Sequence, residues 1–135
     1  MTSAGTVVDS SVLLDVFTED RKWLPWSEQR LTEAAQQGAL ILNAVVLAEI
    51  APRFSRIESL RDALPSMAVL EEIPTEASFL AGHAHAAYHR AGGARRAVLP
   101  DFLIGAHAAV TRRPLLTRDP RRIAAYIPGA ELISP

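Results

Sequence analysis

A chain of 135 residues has the length of one independent domain. Hydrophobic residues make up 49% and charged residues 21%, enough for a real core, which excludes a disordered or acidic-tail protein. The net charge of −1 is unevenly spread: residues 1–89 carry 12 acidic against 6 basic side chains, whereas residues 90–122 carry eight arginines against Asp101 and Asp119. No run approaches the ~18 apolar residues of a membrane span, and the opening MTSAGTVVDSS has no secretory pattern. Cysteine is absent, which removes disulfide scaffolds, cysteine nucleophiles and thiolate zinc sites and fits a reducing cytoplasm.

In chain order, Thr6-Val7-Val8 reads as a β-branched strand running through Asp9-Ser10-Ser11 into a helix over Val12–Phe17. Ser27–Gln37 reads as a second helix stopped by Gly38, and Ala39–Leu42 as a buried strand. Helical spacing resumes over Val45–Phe54 despite Pro52, and again over Arg56–Ser66. Val69-Leu70 starts a short strand that Pro74 closes. A long helix follows from an N-cap at Thr75 to about Ala91, where Gly92-Gly93 ends it. Pro100-Asp101 opens a helix to about Arg112, Pro114–Thr117 is the next strand, Asp119-Pro120 caps a short helix, and Glu131–Ile133 is a last edge strand. Short apolar strands alternating with helices predict an α/β sandwich in one continuous domain, built around a parallel sheet.

Three aspartates stand at strand-to-helix junctions or helix starts: Asp9, Asp101 and Asp119. In an open parallel sheet, the carboxyl ends of the strands are where ligand sites collect. Each aspartate alone also reads as a helix cap, and Asp119-Pro120 is a good cap followed by proline at the first helical position. Glu49 is harder to dismiss, because it interrupts the apolar run Val45–Ala51 and glutamate is rarely buried without a partner. Either it pairs with Arg53 one turn on, or it leans into a pocket shared with the aspartates. Four crowded carboxylates repel one another unless a hard divalent cation neutralises them, and oxygen ligands suit magnesium or manganese.

Other chemistries have less support. His83, His85 and His89 lie on one helix without a third ligand at motif spacing, and read as its polar face. Gly92-Gly93 is a helix stop and not a phosphate loop, and Ser10 and Ser11 lack a nucleophile-elbow context. A phospho-acceptor receiver domain would need a lysine near a late strand, and Lys22 is the sole lysine.

With these residues in view, the chain resembles the PIN-domain endoribonucleases, and within them the VapC toxins of bacterial toxin–antitoxin modules. TVVDSSVLLDVF is similar to the family's first strand, first catalytic aspartate and following small hydroxyl residue, here Asp9 and Ser10. VVLAEI resembles the helix that carries its glutamate, here Glu49. LPDFLIGAHA resembles the segment of the third acid, Asp101, and LLTRDPRRIAAYIPGAELISP the last strand with Thr117 and the fourth acidic position, Asp119. Arg118 departs from the pattern, since members often have a small polar or acidic residue there.

The resemblance implies a three-layer α/β/α fold with a short, mostly parallel central sheet. It also implies a magnesium- or manganese-dependent ribonuclease held silent by a cognate antitoxin, and a homodimer. Asp9, Glu49, Asp101 and Asp119 are then the expected catalytic and metal-holding residues, with Ser10 and Thr117 steadying them. Arg112, Arg113, Arg121 and Arg122 are expected to guide RNA, since they flank Asp119 and a cationic rim offsets repulsion between an acidic pocket and a polyanion. Apolar helical positions such as Val12, Leu13, Val16, Phe17, Val46 and Phe54 are expected to supply protein interfaces. A non-catalytic RNA- or protein-binding module and a structure-specific DNA nuclease are the alternatives.

Overall fold

The structure, a computed structural model, describes residues 4–93 and 98–135. Five strands, β1 (Thr6–Val8), β2 (Leu40–Leu42), β3 (Ala68–Leu70), β4 (Leu115–Leu116) and β5 (Leu132–Ile133), form one sheet in the order β3-β2-β1-β4-β5. Every pairing is parallel, including that of the last edge strand, so the sheet is fully and not merely mostly parallel. Parallel strands must be joined by crossovers, and among the described residues seven helices supply them: α1 (Ser10–Phe17), α2 (Leu24–Gln37), α3 (Ala44–Ile50), α4 (Ile57–Ala63), α5 (Thr75–Arg90), α6 (Leu99–Thr111) and α7 (Arg121–Tyr126).

Right-handed crossovers place α1 to α4 on one face and α5 to α7 on the other, because the strand order reverses after β3. α1 packs on α2 and α3, and α5 on α6 and α7, as that layering requires. The central strands are therefore covered on both faces, and every residue of β1, β2 and β4 is buried.

Several boundaries move for identifiable reasons. α2 begins at Leu24, three residues before Ser27, because Pro25 fits a first helical turn where no N–H donor is needed. α3 stops at Ile50 and tightens into a 3₁₀ turn, Ala51–Arg53, since Pro52 cannot continue the bonding ladder. Pro74 rather than Thr75 occupies the cap of α5, and Pro120 rather than Asp119 that of α7. Gly92 ends α5 with φ +83°, a left-handed geometry that glycine adopts without penalty.

Val12, Leu13 and Val46 are at most 1% exposed, so they belong to the core and not to an interface; Val16, Phe17 and Phe54 are half-buried against it. Among the described residues the exposed large apolar side chains are instead Ile57, Met67, Val69, Leu70, Phe79, Leu99 and Val110.

One polar network fixes the two helices that carry Glu49 and Asp101. Asn43 Oδ1 caps α3 by accepting from the Val45 and Val46 amides at 3.0 and 3.1 Å. Its amide nitrogen therefore faces His107 Nδ1 of α6 at 3.0 Å, which makes that ring nitrogen the acceptor. The proton sits on Nε2, which donates to Glu71 Oε1 at 2.8 Å, and Arg113 Nη1 donates to the same oxygen at 2.6 Å. His107 is wholly buried, and a lone polar ring there is tolerated because both nitrogens are satisfied. Sequence reading passed over His107; its signal was a histidine inside the apolar run Ile104–Val110.

Candidate functional site

After β1 the chain moves to β2 and β3, then returns on the other side of β1 as β4 and β5. The crevice outside the carboxyl ends of β1 and β4 is thus the point where strand order reverses, the usual ligand position in an open α/β sheet. Asp9 follows β1 and Thr117 follows β4, and the Asp9 amide donates to the Leu116 carbonyl at 2.9 Å. A cavity of about 260 Å³ opens there, lined by Asp9, Ser10, Ser11, Asp101, Thr117, Arg118, Asp119 and Arg122 with apolar walls from Leu14, Ile104, Leu115 and Ile123.

Asp9 occupies the N-cap position of α1 but makes no side-chain cap bond. Its Oδ2 instead accepts from Ser11 Oγ at 2.7 Å and Thr117 Oγ1 at 2.9 Å. Thr117 Oγ1 in turn accepts from the Asp119 amide at 3.0 Å, tying Asp119 to the same crevice. Asp101 lies in the first turn of α6, which runs back from the carboxyl edge of the sheet, and its Oδ2 accepts from Arg122 Nη2 at 2.8 Å. Glu49 joins through Ser10, whose Oγ donates to Glu49 Oε1 at 2.8 Å. No Glu49–Arg53 ion pair forms among the described residues. The helix-cap reading thus loses its geometric support at all three aspartates, and the Arg53 reading loses it at Glu49.

The carboxylates feel one another. Burial pushes the Asp9 carboxyl above its usual range, and the charges of Asp101 and Asp119 push the same way; the Ser11 and Thr117 hydroxyls oppose them. Burial also raises Glu49, with Asp9 and Asp101 adding to it and Ser10 opposing. Both shifts disfavour the ionised form in the protein alone, so an added cation would be stabilised here. The donor set consists of carboxylate and hydroxyl oxygens without sulfur or imidazole, which fits a hard divalent ion such as Mg²⁺ or Mn²⁺. Among the described residues no three acidic or histidine side chains close into a ready chelate, and the fit rests on the oxygen-donor chemistry of the pocket lining.

The expected arginine rim divides. Arg122 lines the pocket, and Arg121 lines an adjoining groove with Arg118, Asp119 and Pro120. Arg112 and Arg113 do not belong to it: they follow the other end of α6, roughly 16 Å of helix from Asp101. Arg112 takes the left-handed cap of α6 at φ 55°, and Arg113 is engaged with Glu71 and the Ala4 carbonyl. Arg95 and Arg96, also in the arginine-rich segment, lie outside the described residues. On α5, His85 and His89 contact through their Nε2 atoms at 3.1 Å and His83 stacks against Phe79; among the described residues no third ligand joins them.

Asp15 is a pocket-side residue that sequence reading missed. It sits in the apolar run Val12–Phe17, the same signal that singled out Glu49, and is 2% exposed. Its Oδ2 accepts from Ser27 Oγ at 2.7 Å and from Arg118 Nε at 2.9 Å.

Residues 6–126 match the PIN domain family. No curated protein matches the chain. Among solved structures it is similar to VapBC2 from Rickettsia felis bound to a promoter DNA fragment, at TM-score 0.71 and 16% identity over 96% of this chain and 97% of that one. It is similar to DNA-bound VapBC from Salmonella typhimurium at TM-score 0.71 and 15% identity over 98% of both chains. A toxin–antitoxin complex from Klebsiella pneumoniae matches at TM-score 0.63 and 23% identity over 96% of both. At these identities the likeness is one of fold, and it agrees with the family match over the same strands and helices. The chain is a member of the PIN domain family.

Proposed function

We propose that this protein is a divalent-metal-dependent endoribonuclease acting as the toxin of a toxin–antitoxin module in the cytoplasm. The observation that carries the reading is the convergence of Asp9, Asp101 and Asp119 on one crevice at the point where strand order reverses, with Glu49 tied to its lining through Ser10 and arginines on its rim. When bound, Mg²⁺ or Mn²⁺ supplies a hydroxide at neutral pH and offsets charge on the scissile phosphate. Asp9, Glu49 and Asp101 would hold the ion and Asp119 would complete the pocket. Ser11 and Thr117 fix the Asp9 carboxylate in orientation and Ser10 fixes that of Glu49. A carboxylate oriented in this way accepts the proton of the attacking water. Arg121 and Arg122 meet the RNA backbone, where contacts supply affinity more than sequence choice.

Support for an antitoxin partner comes from the structural neighbours, which are toxin–antitoxin assemblies, and from an apolar groove of about 360 Å³ between α3 and α4 lined by Leu47, Phe54, Ile57 and Leu60. Exposed Val69, Leu70 and Phe79 support the expected homodimer, which light scattering at micromolar concentration would reveal. The test of function is cleavage of RNA and of DNA by purified protein with Mg²⁺ or Mn²⁺, with EDTA, and with Asp9→Asn. RNA cleavage lost in the last two conditions is the expected result. Equal cleavage of DNA would favour a general nuclease, and metal-independent cleavage that survives Asp9→Asn would reject the assignment.

A further inference from the structure

The departure at Arg118 is built into the fold at three points. Its backbone amide donates to Ser11 Oγ at 3.3 Å, its Nε donates to the buried Asp15 carboxylate at 2.9 Å, and its guanidinium lies over the Trp23 ring at 5.6 Å. Ser27 Oγ, from α2, bonds the same Asp15 oxygen at 2.7 Å. Residues of α1, of α2 and of the turn before α2 therefore hold a side chain that enters from the loop after β4. A buried carboxylate is costly to desolvate, and an apolar residue at position 15 would pack the α1–α2 contact at least as stably. Asp15 is explained by what it holds.

It holds Arg118 by one nitrogen only. Arg118 lines the acidic pocket; among the described residues its terminal nitrogens make no hydrogen bond, and Nη1 has Asp119 Oδ1 at a loose 3.9 Å. Arg122, the other arginine of the lining, is already bonded to Asp101. Arg118 is thus oriented at its Nε edge and face, while its forked end remains available in a pocket that also holds the carboxylates of Asp9, Asp101 and Asp119. A guanidinium presented in this way matches the paired oxygens of a phosphodiester.

We propose that Arg118 is a substrate-binding residue that takes a phosphate of the RNA through its two terminal nitrogens, and that Asp15, Ser27 and Trp23 are the positioning residues that aim it. This rests on the ribonuclease reading above and adds to it a cation supplied by the chain itself at the reacting phosphate. The plain competing account is that Arg118 merely neutralises Asp15.

A short labelled single-stranded RNA of mixed sequence is the probe, titrated against metal-free Asp9→Asn protein over a range of salt concentrations, with cleavage measured separately on the metal-loaded parent background. On the Asp9→Asn background, Arg118→Ala should weaken binding about tenfold and reduce the salt slope by ~0.7, the loss of one phosphate contact on a single strand. Arg118→Lys should keep the slope, because the charge stays, yet cleave about tenfold more slowly, because the fork is gone. Since Arg118→Ala strands a buried carboxylate, the Asp15→Asn/Arg118→Ala pair provides a variant without that charge, and it should show the same binding defect while melting close to the parent. If either alanine variant binds RNA with the parent's slope, Arg118 only neutralises Asp15 and the proposal fails. A parent that binds RNA through Arg118 but cleaves none would sink the ribonuclease reading and leave the phosphate contact standing. A parent that binds no RNA would overturn both.

Discussion

Arg122 Nη2 stands 2.8 Å from Asp101 Oδ2, so one carboxylate of the pocket is paired with a cation from its own rim. On the proposed metal site, the guanidinium occupies an oxygen that an incoming metal would need, and the two cations would compete for it. Both side chains remain about one-third exposed, which keeps the pair's contribution to stability small, ~0–1 kcal/mol. Arg122→Ala should therefore melt close to the parent while binding Mg²⁺ or Mn²⁺ more tightly in calorimetric titration and RNA more weakly. Unchanged metal affinity would show that the pair does not oppose the ion.

Asp9→Asn tests the cost of burying the Asp9 charge, to which the charges of Asp101 and Asp119 add. Because the folded-state pKa of Asp9 is raised, the native protein holds a proton that the unfolded chain has lost once pH exceeds the ordinary value of 3.8. Its contribution to stability is therefore full below that pH, falls as pH rises through the folded value, and remains a deficit at neutrality. Asn keeps an acceptor for Ser11 and Thr117 but carries no charge. The variant should melt at or above the parent's temperature near pH 7, the difference should shrink toward about pH 4, and RNA cleavage should fall by orders of magnitude. A destabilised variant at pH 7 would mean that the hydrogen bonds outweigh the charge.

Glu49→Gln should retain the Ser10 hydrogen bond and remove one charge from the field of Asp9 and Asp101. Metal-free stability should hold or rise, and the melting shift produced by Mg²⁺ or Mn²⁺ should shrink, since a ligand stabilises only in proportion to its preference for the folded state. A variant with the parent's metal-induced shift and full cleavage would remove Glu49 from the site.

The Glu71 carboxyl lies below its ordinary range, chiefly because Arg113 donates to it, with His107 acting the same way and partial burial opposing. Its lowered folded pKa contributes stability that is present above the ordinary 4.5 and is lost as pH falls through the folded value. Glu71→Gln should cost ~1–2 kcal/mol at pH 7 and flatten the acid limb of the stability curve. His107→Ala, which opens a cavity and strips a partner from Asn43, should cost ~2–4 kcal/mol in denaturant melts. Both should still cleave RNA well below their melting temperatures, because the network supports α3 and α6 without lining the pocket.

The alternation of short β-branched or apolar runs with capped helices is local information, because period and turn chemistry are written within ten or so residues. Val7 and Val8, the Gly92 stop and the proline-led start of α6 were legible for that reason. The four acids were conspicuous in the same local way, each by its place beside a strand, at a helix start or inside an apolar run. Which acids share a pocket is another matter: Asp9 and Thr117 are 108 residues apart, and they meet because β1 pairs on one side with β2, the next strand in sequence, and on the other with the distant β4. The same pairing placed Arg122 on the pocket, while thirteen residues of α6 carried Arg112 and Arg113 to its far end. The chain alone showed that eight arginines cluster within residues 90–122. The direction of one helix against the sheet decided which of them face the carboxylates, because a rigid rise of ~1.5 Å per residue separates neighbours in sequence into opposite ends of the molecule.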